Sequence, residues 1–258
     1  ALHCGASTGC YFDDVVVELD VEDGAVCHEV DECALGVDHC SPLSECIDRG
    51  PGELPTCADC PEGATRSFGD DFSDGDAGGW TFLDDEGIGE ISSHWLVQDD
   101  RLIQANDAGS GRAPDFRATY AWTGSLGWSD YRVSAKLTGE GEGSTGLLFR
   151  YQDPGSFYAF HLRKETGAGL LTRRADGESA VIHSIPVDYD AGTPFFLEVE
   201  VSGDTITIWK DGEKLLFAID GALPRGAAGA YGWKSPGGTF DDFSVEALNN
   251  DGVICSPR

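Results

Sequence analysis

The chain has 258 residues, 46 Asp and Glu against 17 Lys and Arg, and a formal net charge of −29. So acidic a surface repels nucleic acid and anionic lipid, which excludes both as partners, and no run of about 18 apolar residues is present to span a membrane as a helix. The 35 Gly and the 10 % of aromatic residues suit a glycine-turned, ring-packed β fold better than a helical bundle.

Residues 1–28 form a first, Cys-containing segment with Cys4, Cys10 and Cys27. Within it Glu18-Leu19-Asp20-Val21-Glu22 reads E-x-D-x-E, and the period of two places all three carboxylates on one face of a strand. The pattern is similar to that of laminarinase-type glycosidases. It stands in a Cys-rich segment without a large sandwich on both sides, so we read no catalytic site in it and expect no enzyme. Eight of the nine cysteines precede residue 61, and only Cys255 follows, in a tail over 249–258. Dense cysteines in a short segment predict disulfides and an oxidising, secreted setting. The chain contains no Met, so Ala1 is expected to be a mature N-terminus left by signal cleavage. An odd count leaves one thiol free or bonded to another molecule. A chain-to-chain link through this segment, giving a homo-oligomer or fibre, is the corresponding expectation.

Residues 29–66 contain CALGVDHCSPLSECIDRGPGELPTCADCPEG, from Cys33 to Gly63. This stretch resembles an epidermal-growth-factor-like module, above all the thrombospondin variety with its C-x-x-C-P-x-G close. The preceding Glu29-Val30-Asp31-Glu32-Cys33 is similar to the calcium-binding form of that module. By that resemblance Glu29, Glu32 and Asp48 would hold Ca²⁺, and the pairing would be Cys33–Cys46 and Cys40–Cys57. Cys60 is then left over, with Cys255 one candidate partner. A metal-free module is the alternative. A zinc site at Cys57-x-x-Cys60 lacks a second Cys or His pair at finger-like spacing.

Residues 67–248 are free of Cys and alternate as sheet proteins do. Strands are predicted over Tyr131 to Leu137, Pro194 to Val201, Thr205 to Trp209, Lys214 to Ile219 and Phe240 to Leu248. TGLLFRYQDPGSFYAFHLRK, from Thr145 to Lys164, reads as a hairpin. Leu147, Phe149 and Tyr151 are expected on one face of its first strand. In its second strand Phe157, Ala159 and His161 share one face, and Tyr158, Phe160 and Leu162 the other. Asp153-Pro154-Gly155-Ser156 supplies the turn, with a fixed φ at Pro154 and a positive φ expected at Gly155. Asp211-Gly212 supplies a two-residue turn in ITIWKDGEKLLFAI. Strands recurring with turn signals about every ten residues predict a β-sandwich or jelly roll. His161, alternating with apolar neighbours, reads as a packed strand residue.

Acidic clusters frame the sandwich: Asp70, Asp71, Asp74 and Asp76 at its start, Asp241 and Asp242 at its end. If first and last strands lie side by side, these carboxylates meet and repel unless a cation bridges them. Calcium is therefore the expected cofactor, with Asp71, Asp74, Asp241 and Asp242 as ligands. Solvated strand-edge charges are the alternative. Tyr151, Tyr158 and Trp233, with Trp95 and Trp122 behind them, are candidates for stacking on a sugar ring.

TGLLFRYQDPGSFYAFHLRKE also looks like the central hairpin of the thrombospondin C-terminal lectin-like domain, with G-x-x-F-x-Y-Q-D followed by S-F-Y. The likeness extends, more weakly, from DDFSDGDAGGW to TFDDFSVEAL. It implies a concanavalin A-like sandwich, the architecture also of laminin-G modules, sugar-binding modules and some glycosidases. The expectation is a secreted, calcium-stabilised adhesion or structural protein at the cell surface or outside the cell. It would act through contacts with an extracellular protein or glycan. A carbohydrate-binding module or glycosidase of the concanavalin A-like class is the alternative.

Overall fold

The computed structural model describes residues 46–47, 56–57 and 67–248. Two short strands, β1 (Cys46–Ile47) and β2 (Thr56–Cys57), pair antiparallel with Cys46 opposite Cys57. Cys33, Cys40, Cys60 and Cys255, the candidate ligands Glu29, Glu32 and Asp48, the trio Cys4, Cys10 and Cys27, and the Glu18–Glu22 stretch lie outside the described residues.

From Ser67 onward strand follows strand. In order they are β3 (Ser67–Asp70), β4 (Thr81–Asp84), β5 (Trp95–Val97), β6 (Leu102–Gln104), β7 (Ser110–Arg112), β8 (Asp115–Arg117) and β9 (Thr119–Thr123). Then come β10 (Tyr131–Thr138), β11 (Ser144–Asp153), β12 (Ser156–Arg163), β13 (Ala168–Ala175) and β14 (Glu178–Pro186). The last are β15 (Phe195–Ser202), β16 (Thr205–Lys210), β17 (Glu213–Ile219), β18 (Ala227–Trp233) and β19 (Gly238–Ala247). An eight-stranded sheet runs β17-β16-β15-β10-β19-β6-β5, with β3 also paired to β19, and a seven-stranded sheet runs β14-β13-β12-β11-β18-β9-β4. The five expected strands all form, each within two residues of its expected ends. The first strand of the sandwich does lie against the last, with Asp70 opposite Phe243.

The turns follow their sequence chemistry with one exception. Asp211 and Gly212 have φ of 51° and 80°, the left-handed pair that matches strand twist, and Asp176-Gly177 repeats it between β13 and β14. At Asp153–Ser156 the expected positive φ at Gly155 is absent. There the Asp153 carboxylate accepts the Gly155 N–H at 2.6 Å, and this side-chain bond sets the turn.

The sheets pack face to face. Val133, Ala135, Leu137, Val199 and Ile208 of the larger sheet meet Leu147, Phe149, Tyr158, Phe160 and Ala230 of the smaller in one core. A bulge at Arg150, with φ of 48°, shifts the register of β11 against both neighbours. It overturns the expected face of Tyr151: Leu147 and Phe149 point inward, and after the bulge Tyr151 points outward. The fully buried Arg150 guanidinium donates to the carbonyls of Leu223 (3.0 Å) and Gly203 (2.7 Å), closing one end of the sandwich.

The outer face of the seven-stranded sheet is covered too. The segment after β4 and the β7–β8 hairpin lie on it and bury Phe116, Tyr120, Leu148, Phe157, Tyr231 and Trp233 in a second cluster. A buried ion pair staples this layer down. Asp85 accepts from the Ala118 N–H (2.9 Å), the Tyr120 hydroxyl and both Nη atoms of Arg174 (Nη2 at 3.0 Å). Arg174 also donates to the carbonyls of Phe116 (2.9 Å) and Pro154 (3.0 Å), so one guanidinium ties hairpin, sheet and turn together.

Candidate functional site

Strand register assembles the site. Ser144 on β11 is opposite Arg163 on β12 and opposite Trp233 on β18. Two residues along, Gly146 is opposite His161 and Tyr231. Directly opposed side chains share a face, so both rows stand on the outer face of the seven-stranded sheet. Gly146 contributes no side chain, and the His161 and Tyr231 rings close over it, stacked with centroids 4.7 Å apart. A Cβ at Gly146 would collide with the backbone of Phe160 and His161, which is why glycine is required there. Phe116 of the hairpin caps the pair, 5.3 Å edge-on from His161 and 5.3 Å from Trp233.

At the open end of these rows is a cleft of about 530 Å³. Trp233 forms one wall, its indole N–H held by the Ser110 carbonyl at 2.7 Å. The Arg163 guanidinium lies over that indole at 5.1 Å and donates to the Glu165 carboxylate. Arg112 and Asp107 come from the hairpin and the approach to it, Glu142 from the turn before β11, and Lys234 from the end of β18. Three cationic and three anionic side chains therefore line the cleft. Gly111, Gly141, Gly143 and Pro236 complete its rim, Gly143 packed against the carbonyls of Trp233 and Lys234 and Gly111 against that of Asp115.

Behind the lining, in the same two rows, is a polar floor closed off from the cleft. Ser144 and His161 are fully buried, and Ser144 Oγ and both His161 ring nitrogens lack a hydrogen-bond partner. Burial, aided by the Arg163 charge, pushes the His161 imidazole down to about 3, so the ring is neutral at physiological pH.

The expected calcium ligands lie elsewhere. Asp71, Asp74 and Asp242 line a second depression, with Asp70 and Ser73, at the β3–β19 edge. The sequence argument about proximity holds: pairing of β3 with β19 brings Asp70, Asp71, Asp74 and Asp242 to one depression. Asp70 accepts from the Trp80 indole (2.7 Å) and the Phe72 N–H, Asp71 from the Ser73 N–H and Asp74 from the Asp76 N–H. Lys136 offsets Asp241 (3.2 Å) and Asp242 (3.7 Å). Among the described residues no three His, Cys, Asp or Glu side chains come together as metal ligands. Hydrogen bonds from the Ser73 side chain and backbone hold the Asp71 carboxyl below its usual range.

Of the stacking candidates, Trp233 is at the cleft. Tyr158 is in the inner core, stacked on Phe149 and bonded to Asp220 at 2.6 Å, where a sugar cannot reach it. Tyr151 stacks on Trp122 at 5.0 Å within the outer layer. Trp95 donates to Thr119 Oγ1 and stacks on Phe82. Sequence reasoning missed Arg112, Glu142, Arg163, Glu165 and Lys234, which come from separate segments. The one local signal was Arg163-Lys164-Glu165, charges directly following an apolar strand.

No protein-family profile matches the sequence, and a search of curated proteins returns no relative. Solved structures do match. The carbohydrate binding module CBM66 from Bacillus subtilis aligns with a TM-score of 0.54 and 20 % identity, over 66 % of this chain and 96 % of that one. The GH43 BlXynB protein from Bacillus licheniformis aligns with a TM-score of 0.54 and 16 % identity, over 80 % of this chain and 46 % of that one. A native glycosidic hydrolase aligns with a TM-score of 0.50 and 13 % identity, over 73 % and 97 %. At such identities the likeness establishes the fold alone, a two-sheet β-sandwich that those proteins also contain.

Proposed function

We propose that this protein binds a neutral saccharide, without cleaving it, in the cleft between the β7–β8 hairpin and the ends of β12 and β18. The observation that carries this reading is the balanced lining. A sugar hydroxyl both donates and accepts, so a lining of three carboxylates and three cations serves it well. A polyanionic glycan would instead meet a protein of net charge −29. The Trp233 wall supplies an apolar edge beside those charges. The sandwich shared with a carbohydrate binding module supports the same class of ligand.

This reading puts glycan recognition ahead of the adhesion role that the sequence suggested, and a secreted setting suits it. It assigns calcium no part in the cleft, where the Glu165 carboxylate is paired with Arg163. The test is an array of neutral oligosaccharides probed with the whole chain, each hit followed by calorimetry and a hydrolysis assay. Binding without hydrolysis, weakened at least tenfold by Arg112→Ala or Glu142→Gln, is expected. An array without hits, or hits indifferent to both substitutions, would contradict it.

A further inference from the structure

We propose that the cleft has a second, closed tier: Arg163 is a latch over Ser144 and His161, and a saccharide that turns it aside gains hydrogen bonds to both. The inference rests on the cleft being a saccharide site and adds to it the residues that the ligand reaches.

The geometry is that of one row of side chains. Ser144 stands on β11 between Arg163 on β12 and Trp233 on β18. The guanidinium that lies 5.1 Å over the indole therefore crosses above Ser144. His161 is one row deeper on the same strand as Arg163, and its wall is fixed: Phe116 rests on it, and Arg174 bonds the Phe116 carbonyl at 2.9 Å. Of the long, flexible side chains at the cleft, Arg163 is the one that belongs to the Ser144 row itself.

Two further observations single out the floor. Ser144 Oγ, both His161 ring nitrogens and Arg163 Nε are buried together without hydrogen-bond partners. Four of the thirteen unpartnered buried polar atoms among the described residues thus fall in these two adjoining rows, where an incoming hydroxyl could partner them. The latch is held by its position over two rings, Trp233 at 5.1 Å and Phe116 at 5.7 Å, and by one ion pair open to water. Its carboxylate partner Glu165 is 56 % exposed, and an ion pair facing water contributes little. A sugar hydroxyl suits the uncovered floor: a neutral imidazole offers one donor and one acceptor nitrogen, and Ser144 offers a hydroxyl.

The experiment measures acylation of His161 by diethyl pyrocarbonate, mapped by peptide mass spectrometry on the whole chain. The reagent attacks neutral imidazole, so protonation does not limit the rate. In the absence of sugar, His161 should be unreactive in the wild type and at least tenfold faster in Arg163→Ala. Glu165→Gln, an exposed change that leaves packing intact, should lie between. His161 staying at the wild-type rate in both variants overturns the latch. A neutral oligosaccharide that binds the cleft should then slow His161 acylation in Glu165→Gln, and His161→Phe should weaken its binding about tenfold. Binding without protection or weakening overturns the second tier and leaves the saccharide reading standing. Failure of every neutral sugar to bind removes the saccharide reading and the ligand role of the floor, whatever the latch does.

Discussion

The two sheets present opposite outer faces. On the eight-stranded sheet, β10 alternates strictly: Val133, Ala135 and Leu137 point inward, while Arg132, Ser134 and Lys136 face water. Its outer face is a charge ladder in which Arg132 meets Glu200 at 2.5 Å and Glu198 at 3.6 Å. On the seven-stranded sheet, seven of the eight residues of β12 are buried, because a second layer lies on the outer face. The difference locates the candidate site. A face open to solvent needs only charge to stay soluble, whereas a face built over with a hairpin, a buried ion pair and stacked rings leaves a shaped cleft at its margin.

The contrast can be broken from the covered side first. Asp85→Ala strands the buried Arg174 guanidinium and should cost about 3–5 kcal/mol of unfolding free energy, read by denaturant titration. A loss under about 1 kcal/mol would mean that the ion pair does not hold the layer. Phe116→Ala removes the ring that plugs the outer cluster and should cost about 3–4 kcal/mol. The same loss should raise hydrogen exchange at Ser110–Arg117 while β10 stays protected.

A pH series sharpens the comparison. The folded chain keeps His161 neutral down to about pH 3, whereas the unfolded chain takes up a proton near pH 6.5. Unfolding therefore binds more protons as pH falls. The His161 contribution should be flat above about pH 7 and remove about 2 kcal/mol by pH 5. His161→Phe should lose that part of the slope; an unchanged pH profile would show that the imidazole is not buried neutral. The smallest effect is expected on the open face, where Arg132→Ala should cost only about 0.2–1 kcal/mol, measured the same way.

The open face was also the legible one. Alternation in β10 and β15, and Asp211-Gly212 between β16 and β17, state strand, face and turn in a few adjacent residues. The covered face was legible only as an anomaly, a hairpin apolar on both sides, which the sequence assigned to the middle of a sandwich. Its cause is the β7–β8 hairpin, whose own sequence, Ser110 to Arg117, carries one large apolar residue and no strand alternation. The bulge at Arg150 was hidden for a similar reason: a Leu-Leu-Phe-Arg-Tyr run looks regular until the buried guanidinium finds its carbonyls. Of the cleft, only Trp233 was readable, because charged residues from separate loops carry no periodicity. The acidic clusters were readable as neighbours, but composition cannot show that Lys136, Trp80 and backbone N–H groups engage these carboxylates.

The most direct test of the central claim is a ¹⁵N NMR titration of the whole chain with a neutral oligosaccharide that it binds. The Trp233 indole N–H, the Gly143 amide and the Arg163 side chain should shift together and saturate with one dissociation constant. Shifts confined to the charged outer face of the eight-stranded sheet, around Arg132 and Trp209, with the cleft signals unmoved, would contradict it.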